Sequence, residues 1–268
     1  MLQPKRLTWS RTAAAAGVAL VGLLATACGP HAAVPSRPEA LPGAVAAGHP
    51  SAELAMALAP ILYLQAEERF PLSRSLAVVH PDSLVVAYHL LWKDDVHGAW
   101  IPRTIATDQE IVWVGYDSTH APVRVWTYWH GSVLTTAWPR RQVAIDVQWG
   151  KHGSLPRNTR LEDLPRLQSL GMFYLFSWAL PDIWLSRLNR EGPLCFCGGY
   201  ARYRAFTAEA PLASHLDAVV VTRDPEPALT ALFGERYSRK PAWPWLVGTP
   251  RAIRSIPPRE RPSVTMTR

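Results

Sequence analysis

The chain has 268 residues and a formal net charge of +7, and a basic balance of this kind is typical of nucleic-acid-binding proteins. Eight of the basic residues lie near the two ends, three within residues 1–27 and five within residues 250–268. Between these ends the chain carries 20 basic and 20 acidic residues. The central part of the chain is therefore electrically balanced, and its charge gives no indication of a basic nucleic-acid-binding surface. We predict no nucleic-acid partner.

Residues 1–27 have the parts of a signal peptide. Three basic residues precede an uncharged run at residues 12–24, which fits a signal h-region and is shorter than the roughly 20 residues that span a bilayer. Small residues then lead to Cys28 in a pattern that resembles the lipobox of bacterial lipoproteins. We therefore predict removal of residues 1–27 and lipidation of Cys28, with ordinary cleavage after Ala27 as the alternative.

This leader predicts that the mature protein resides in the cell envelope. A lipid on Cys28 would hold the mature chain on a membrane, so the membrane is a predicted partner. Gly29 follows the cysteine, where an Asp favours retention in the inner membrane of many Gram-negative bacteria. The outer membrane is therefore the predicted location.

Composition divides the mature chain into three parts. Residues 28–50 are rich in Ala, Pro and Gly without apolar periodicity, which predicts a flexible tether. Residues 250–268 hold four prolines among basic residues; we predict a disordered tail, with contact to anionic lipid head groups as the alternative. Residues 51–249 remain as a single globular domain, long enough to bury a core.

The first two-thirds of this domain is predicted to be β. Runs of β-branched and aromatic residues, separated by polar turn residues, occupy 83–92, 110–116, 123–129, 133–138 and 143–149. Several short strands at this spacing predict an antiparallel β-sandwich, with a barrel as the alternative.

The last third of the domain has a different pattern. Residues 161–170 and 171–189 carry apolar residues at helical spacing, and residues 225–237 begin with prolines in a short helical pattern. The predicted fold class is therefore mainly β, an antiparallel β-sandwich with an α-rich C-terminal addition.

Two cysteines other than Cys28 lie close together, Cys195 and Cys197 in LCFCGGY. An exported protein meets an oxidising compartment, which permits a disulfide. In an extended strand the two Cα atoms would lie about 6.5–7 Å apart, at the limit for a bridge, although the following glycines permit a turn. A disulfide, two small buried residues without a bridge, and metal or redox use stay open as alternatives.

Histidines and carboxylates are the candidate functional residues. His97, His130 and His152 each precede a glycine, and all three fall at predicted strand ends or turns. Asp108 and Glu110 are two residues apart, so an extended backbone points them to the same side. Carboxylates favour Ca²⁺, Mg²⁺ or Mn²⁺, and a larger share of imidazole favours Zn²⁺. The alternative is that these residues stand at turns for backbone reasons alone.

Three stretches carry a resemblance to a known family: residues 58–73, 107–117 and 149–156. In the second, TDQEIVWVGYD resembles the signature in which Asp-Trp-Glu leads into a valine-rich strand, with Gln109 in place of the tryptophan. The third, WGKHGSLP, and the earlier HG at 130–131 resemble the histidines of the family. Together they resemble the group that includes vacuolar sorting protein 62 and, more distantly, the necrosis- and ethylene-inducing-like proteins.

This resemblance implies a β-sandwich and a candidate site. Transferred residue by residue, it nominates Asp108, Glu110, His130 and His152 as a site for a divalent cation or a polar ligand. In the necrosis-inducing branch such a site supports binding to membrane glycolipids. The ligand that the resemblance implies is therefore a glycan or a lipid head group.

Standard catalytic signatures such as Gly-x-Ser-x-Gly and His-Glu-x-x-His are missing from the sequence. The first functional hypothesis is therefore a surface-tethered binding module, with or without a cation. The second is a metal-dependent hydrolase that uses the same residues, with water activated on the metal and Glu110 as the base. A structural envelope lipoprotein without a small ligand is the third.

Overall fold

A computed structural model describes residues 41–64, 70–93, 108–129, 131–148, 152–160, 163–164 and 208–254. Several predicted features lie outside these residues: the signal peptide, Cys28, His97, His130, Cys195, Cys197, the helix at 171–189 and most of the helix at 161–170. Within the described ranges, no helix is long and apolar enough to cross a membrane.

The described residues form eleven strands and two α-helices. The helices are α1 (Pro50–Leu58) and α2 (Glu226–Phe233), with 3₁₀ turns at Leu212–His215 and Pro244–Leu246. In chain order the strands are β1 (Ile61–Leu64), β2 (Leu72–Val79), β3 (Val85–Trp92), β4 (Asp108–Tyr116), β5 (Pro122–Trp129), β6 (Ser132–Ala137), β7 (Ala144–Val147), β8 (Ser154–Pro156), β9 (Ala208–Pro211), β10 (Ala218–Val221) and β11 (Arg251–Ala252).

These strands make two sheets. The larger has the order β10-β2-β3-β4-β5-β6-β11, and its centre from β2 to β6 is an antiparallel meander. The smaller has the order β8-β7-β1-β9. The predicted mainly β fold class with two sheets is confirmed, as is the short helix within residues 225–237.

The sheets differ from the prediction in one respect, because they are mixed and not purely antiparallel. The pairs β1·β7, β10·β2 and β11·β6 are parallel. Each of these pairs joins segments that are far apart in the chain, so no hairpin turn forces the strands to run in opposite directions. Local patterning predicts hairpins and is silent about such pairs.

The larger sheet is covered on both faces, which explains why every residue of β3 is buried. The even-numbered side chains of β3, among them Tyr88 and Leu90, pack with the smaller sheet and α1. Its odd-numbered apolar side chains, among them Ala87 and Leu91, pack with α2 and Trp243. The same alternation continues on β4, so the two faces of that strand meet different surroundings.

The packed part extends beyond the predicted domain limits of 51 and 249. Leu41 is buried, and Ala44 bridges to Val220 of β10. At the other end Ile253 is buried beside Leu134, and Arg254 pairs with Asp163. Residues within the predicted tether and tail therefore contribute to the packing.

Candidate functional site

The first half of β4 has an unusual hydrogen-bonding environment. β4 pairs with β3 from Asp108 to Gly115, whereas its register with β5 begins only at Val112. The segment that follows α2 lies along the remaining edge. The Gln109 N–H donates to Ser238 Oγ at 2.8 Å, and the Lys240 N–H donates to Gln109 Oε1 at 3.2 Å.

Asp108 and His152 are in contact at this end of the sheet. His152 Nδ1 lies 3.1 Å from Asp108 Oδ2, and both residues are buried. The imidazole also stacks on Trp92, with ring centroids 4.3 Å apart and planes within 6°. Ser238 Oγ donates to the other carboxylate oxygen, Asp108 Oδ1, at 3.4 Å.

The His-Gly pair at 152–153 has a structural reason. His152 takes a left-handed backbone conformation with φ of 55°, which is uncommon for a residue other than glycine. A Cβ at Gly153 would lie 2.7 Å from Trp129, so a side chain there would collide with the indole. The pair therefore turns the chain tightly and directs the imidazole toward β4.

Glu110 lies beside this contact and is 7% exposed. Burial raises the pKa of its carboxyl to about 8, with a further increase from Asp108, although Lys240 and His152 act in the opposite direction. Glu110 Oε2 is buried and has no hydrogen-bond partner among the described residues. An acid with a raised pKa and an unsatisfied oxygen is the kind of group found at functional sites.

Lys240 supplies positive charge to the cluster. Its Nζ lies 3.6 Å from Glu110 Oε1 and 5.2 Å from the centre of the Tyr128 ring. Burial lowers the pKa of Lys240, but the carboxylates of Glu110 and Asp108 outweigh it and the net shift is upward. The side chain therefore stays charged although it is only 16% exposed.

Two further buried polar atoms lie on the face of the larger sheet that carries Glu110, and they lack partners among the described residues. They are Trp92 Nε1 and Thr127 Oγ1. Trp92 is opposite Asp108 in the β3·β4 register, and Thr127 is opposite Val112 in the β4·β5 register. Both are thus diagonal neighbours of Glu110 on one face, at a typical separation of about 7–8 Å between such positions. Trp92 Nε1, Thr127 Oγ1 and Glu110 Oε2 therefore lie near one carboxyl, whereas His89 Nε2, which also lacks a partner among the described residues, lies on the other face of the sheet.

The opposite face of β4 carries a second buried polar pair. Gln109 Nε2 lies 2.7 Å from His89 Nδ1, and burial lowers the pKa of His89 to about 3. Because Gln109 Oε1 also accepts from the Lys240 N–H, this amide joins β3 to the segment that carries Lys240. Gln109 therefore positions the segment that carries Lys240, and its side chain lies on the face of β4 opposite to Asp108 and Glu110.

The structure brings together Asp108, Glu110 and His152 of the four nominated residues, while His130 lies outside the description. Sequence reasoning missed Lys240 and Ser238, which are about 130 positions away and belong to no motif. Among the described residues, no group of three or more His, Cys, Asp and Glu side chains has the arrangement to hold a metal ion. The cation assignment thus stays a prediction.

Comparisons with known proteins give two distant structural neighbours. A structure of NLPPya in complex with glucosamine matches with a TM-score of 0.31 and 14% identity, over 47% of this chain and 73% of that one. Necrosis and ethylene inducing protein 2, from the causal agent of cocoa's witches' broom disease, matches with a TM-score of 0.27 and 15% identity, over 46% and 78% of the two chains.

Both neighbours are necrosis-inducing-like β-sandwich proteins. No protein-family model matches the chain, and no curated protein does. At these scores and identities the likeness says nothing about what this chain binds.

Proposed function

We propose that this chain is an exported, membrane-anchored binding module. Its β domain binds a polar ligand at the cluster formed by Asp108, Glu110, His152 and Lys240, which we call the β4 site. The ligand contributes hydroxyl groups to the polar atoms that the described chain leaves unsatisfied.

The observation that carries this proposal is Glu110 Oε2. It is a buried carboxyl oxygen without a hydrogen-bond partner among the described residues, although a charged ammonium lies next to the other oxygen of the same group. Leaving a buried polar atom unpaired costs roughly 1–3 kcal/mol. A protein retains such an atom most readily where a ligand or a bound water completes it.

The chemistry of the β4 site favours a neutral ligand rich in hydroxyl groups. At neutral pH the raised pKa of Glu110 keeps its carboxyl largely protonated, so the group both donates and accepts hydrogen bonds. Asp108 supplies negative charge to Lys240 and contacts the imidazole of His152. Glycans and the polyol head groups of lipids share this chemistry, and the experiment separates these two sources.

Calorimetric titration with defined probes tests the proposed function. Glucosamine and glucose represent glycans, and vesicles of phosphatidylinositol and of phosphatidylcholine represent lipid head groups. Two variants are compared with the wild type: Glu110→Met, which removes both carboxyl oxygens and keeps a side chain of similar length, and Glu53→Met, a matched change at an exposed position of α1.

We expect saturable binding of at least one probe by the wild type and by Glu53→Met, and at least a tenfold weaker affinity in Glu110→Met. A response to sugars alone identifies a glycan ligand, and a response to phosphatidylinositol vesicles alone identifies a lipid head group. If no probe binds, or if the two variants bind alike, the β4 site is not a ligand site and the structural lipoprotein hypothesis takes its place.

The anchor is the second half of the proposal. The basic start, the apolar run and the small residues before Cys28 support lipidation of this cysteine and residence at the outer membrane. In a bacterial host, Cys28→Ser should abolish labelling by a palmitate analogue and move the protein from the membrane to the soluble fraction. Unchanged membrane association of Cys28→Ser would contradict the anchor and leave the β4 site untouched.

A further inference from the structure

Lys240 is held in place by main-chain and side-chain contacts on both sides of it. Ser238 Oγ accepts from the Gln109 N–H at 2.8 Å, and the Lys240 N–H donates to Gln109 Oε1 at 3.2 Å. Two residues later, Ala242 O accepts from Trp113 Nε1 at 2.9 Å. The segment is therefore hydrogen-bonded to β4 before and after Lys240. These bonds fix the main chain of Lys240 beside the β4 site.

The ammonium group has the surroundings of an internal counter-ion. Its Nζ is 3.6 Å from Glu110 Oε1 and lies over the face of Tyr128 at 5.2 Å. An ammonium that is mostly withdrawn from water is stable only when anionic or aromatic groups compensate for the lost hydration. Here Asp108 supplies the negative charge that acts on Lys240 and Tyr128 supplies the aromatic face.

The carboxylate oxygens of the β4 site are largely engaged already. Asp108 Oδ2 contacts His152 Nδ1 and Asp108 Oδ1 accepts from Ser238 Oγ, while Glu110 Oε1 faces Lys240. A divalent cation that used these oxygens would displace several of these contacts. It would also lie within a few ångströms of a fixed ammonium, at a distance where like charges repel strongly. The residues present fit a lysine ammonium and do not fit a divalent cation.

From this geometry we propose that Lys240 is the resident cation of the β4 site, positioned by Gln109 and Ser238, and that the site binds its ligand without a divalent metal ion. The proposal rests on the proposed binding function and narrows it to a neutral, hydroxyl-bearing ligand held by metal-independent contacts.

The side chain of Gln109 joins the segment that carries Lys240 to β3. The amide of Gln109 accepts from the Lys240 N–H through Oε1 and contacts His89 through Nε2. These two contacts of the amide fix the segment that carries Lys240.

The test measures metal binding in four full-length proteins. These are the wild type, Lys240→Met, Gln109→Met and a matched control, Lys93→Met, which removes an exposed lysine at the end of β3. Each is titrated calorimetrically with Mg²⁺, Ca²⁺, Mn²⁺ and Zn²⁺ alone, and the metal retained after desalting is counted by mass spectrometry. The wild type is also titrated with glucosamine before and after addition of a chelator.

We expect no stoichiometric metal in the wild type or in Lys93→Met. Lys240→Met should bind at least one of the ions at least tenfold more tightly, and Gln109→Met should show a smaller gain, since its lysine is present but released. If Lys240→Met does not fold, Gln109→Met and the wild type decide the question.

Two results would overturn the proposal: one equivalent of metal in the wild type bound as tightly as in Lys240→Met, or no gain in metal affinity in either variant. Loss of glucosamine binding on chelation would also overturn it. Absence of ligand binding together with the expected metal results would instead contradict the proposed function alone and leave the assignment of Lys240 intact.

Discussion

The two halves of β4 show how one strand serves two purposes. Residues 112–115 pair with β3 on one side and β5 on the other, and they bury Val112, Trp113 and Val114 in two apolar clusters. Residues 108–111 pair with β3 alone in the strand ladder, and their other edge is covered by the segment around Lys240. Both halves are equally buried.

The difference between the halves lies in how completely buried groups are satisfied. Burial in the second half removes apolar surface from water and stabilises the fold. Burial in the first half also withdraws a carboxyl from water and leaves one of its oxygens without a partner among the described residues, which opposes folding. We infer that this unfavourable burial is retained because the first half of β4 forms the proposed ligand site.

The largest effect is expected from the apolar half. Trp113→Ala removes a fully buried indole and its hydrogen bond to Ala242 O, and substitutions of this kind cost about 3–5 kcal/mol. Urea unfolding should show this loss, while Trp245→Ala, at a tryptophan that is 47% exposed, should cost much less. Equal losses in the two variants would mean that the apolar half does not carry the stability we assign to it.

The next effect is the pH dependence created by Glu110. Its pKa is raised from 4.5 to about 8 in the folded chain, so between these values the folded state holds a proton that the unfolded state has released. Stability therefore falls as pH rises. Between pH 6.5 and 8 the free energy of unfolding should fall by about 1.5 kcal/mol, and Glu110→Gln should abolish this fall.

The lower limit of this pH window is set by His89, which titrates in the unfolded chain below pH 6.5. Its pKa is lowered from 6.5 to about 3, so the unfolded state binds a proton that the folded state does not, and this group reduces stability as pH falls below 6.5. Above pH 6.5 the effect of Glu110 stands apart from it. If the free energy of unfolding of the wild type and of Glu110→Gln changes in parallel between pH 6.5 and 8, the pKa of Glu110 is not raised in the folded chain.

The smallest effect has the opposite sign. Thr127 is fully buried and its Oγ1 has no partner among the described residues, so Thr127→Val should raise the free energy of unfolding by about 1 kcal/mol. Thr135 is a matched control on β6, because its Oγ1 donates to Val125 O at 3.3 Å and Thr135→Val should therefore lower stability. Chemical denaturation of both variants checks the signs, and a loss in Thr127→Val would mean that its hydroxyl is satisfied.

Much of the fold could be predicted because its central strands carry their own pattern. The runs at 83–92, 110–116 and 123–129 are dense in β-branched and aromatic residues, and they became β3, β4 and β5. β10 was missed because its four residues pair with β2 from about 140 positions away, and no local pattern encodes such a partner.

The site could be predicted in part for the same reason. The spacing of Asp108 and Glu110 on a strand places them on one face, and the positive φ of His152 fits the turn that its glycine neighbour indicates. Lys240 could not be found this way, because a lysine in a proline-flanked loop carries no local sign of burial. Its role depends on hydrogen bonds to Gln109 that only the folded chain forms.

The most direct test of the central claim is a crystal structure of the domain soaked with the probe that binds in calorimetry. We predict a ligand oxygen within about 3 Å of Glu110 Oε2, with Lys240 Nζ still beside Glu110 Oε1. Density for the ligand elsewhere, with Glu110 Oε2 bonded to one of the chain's own donors, would contradict the account.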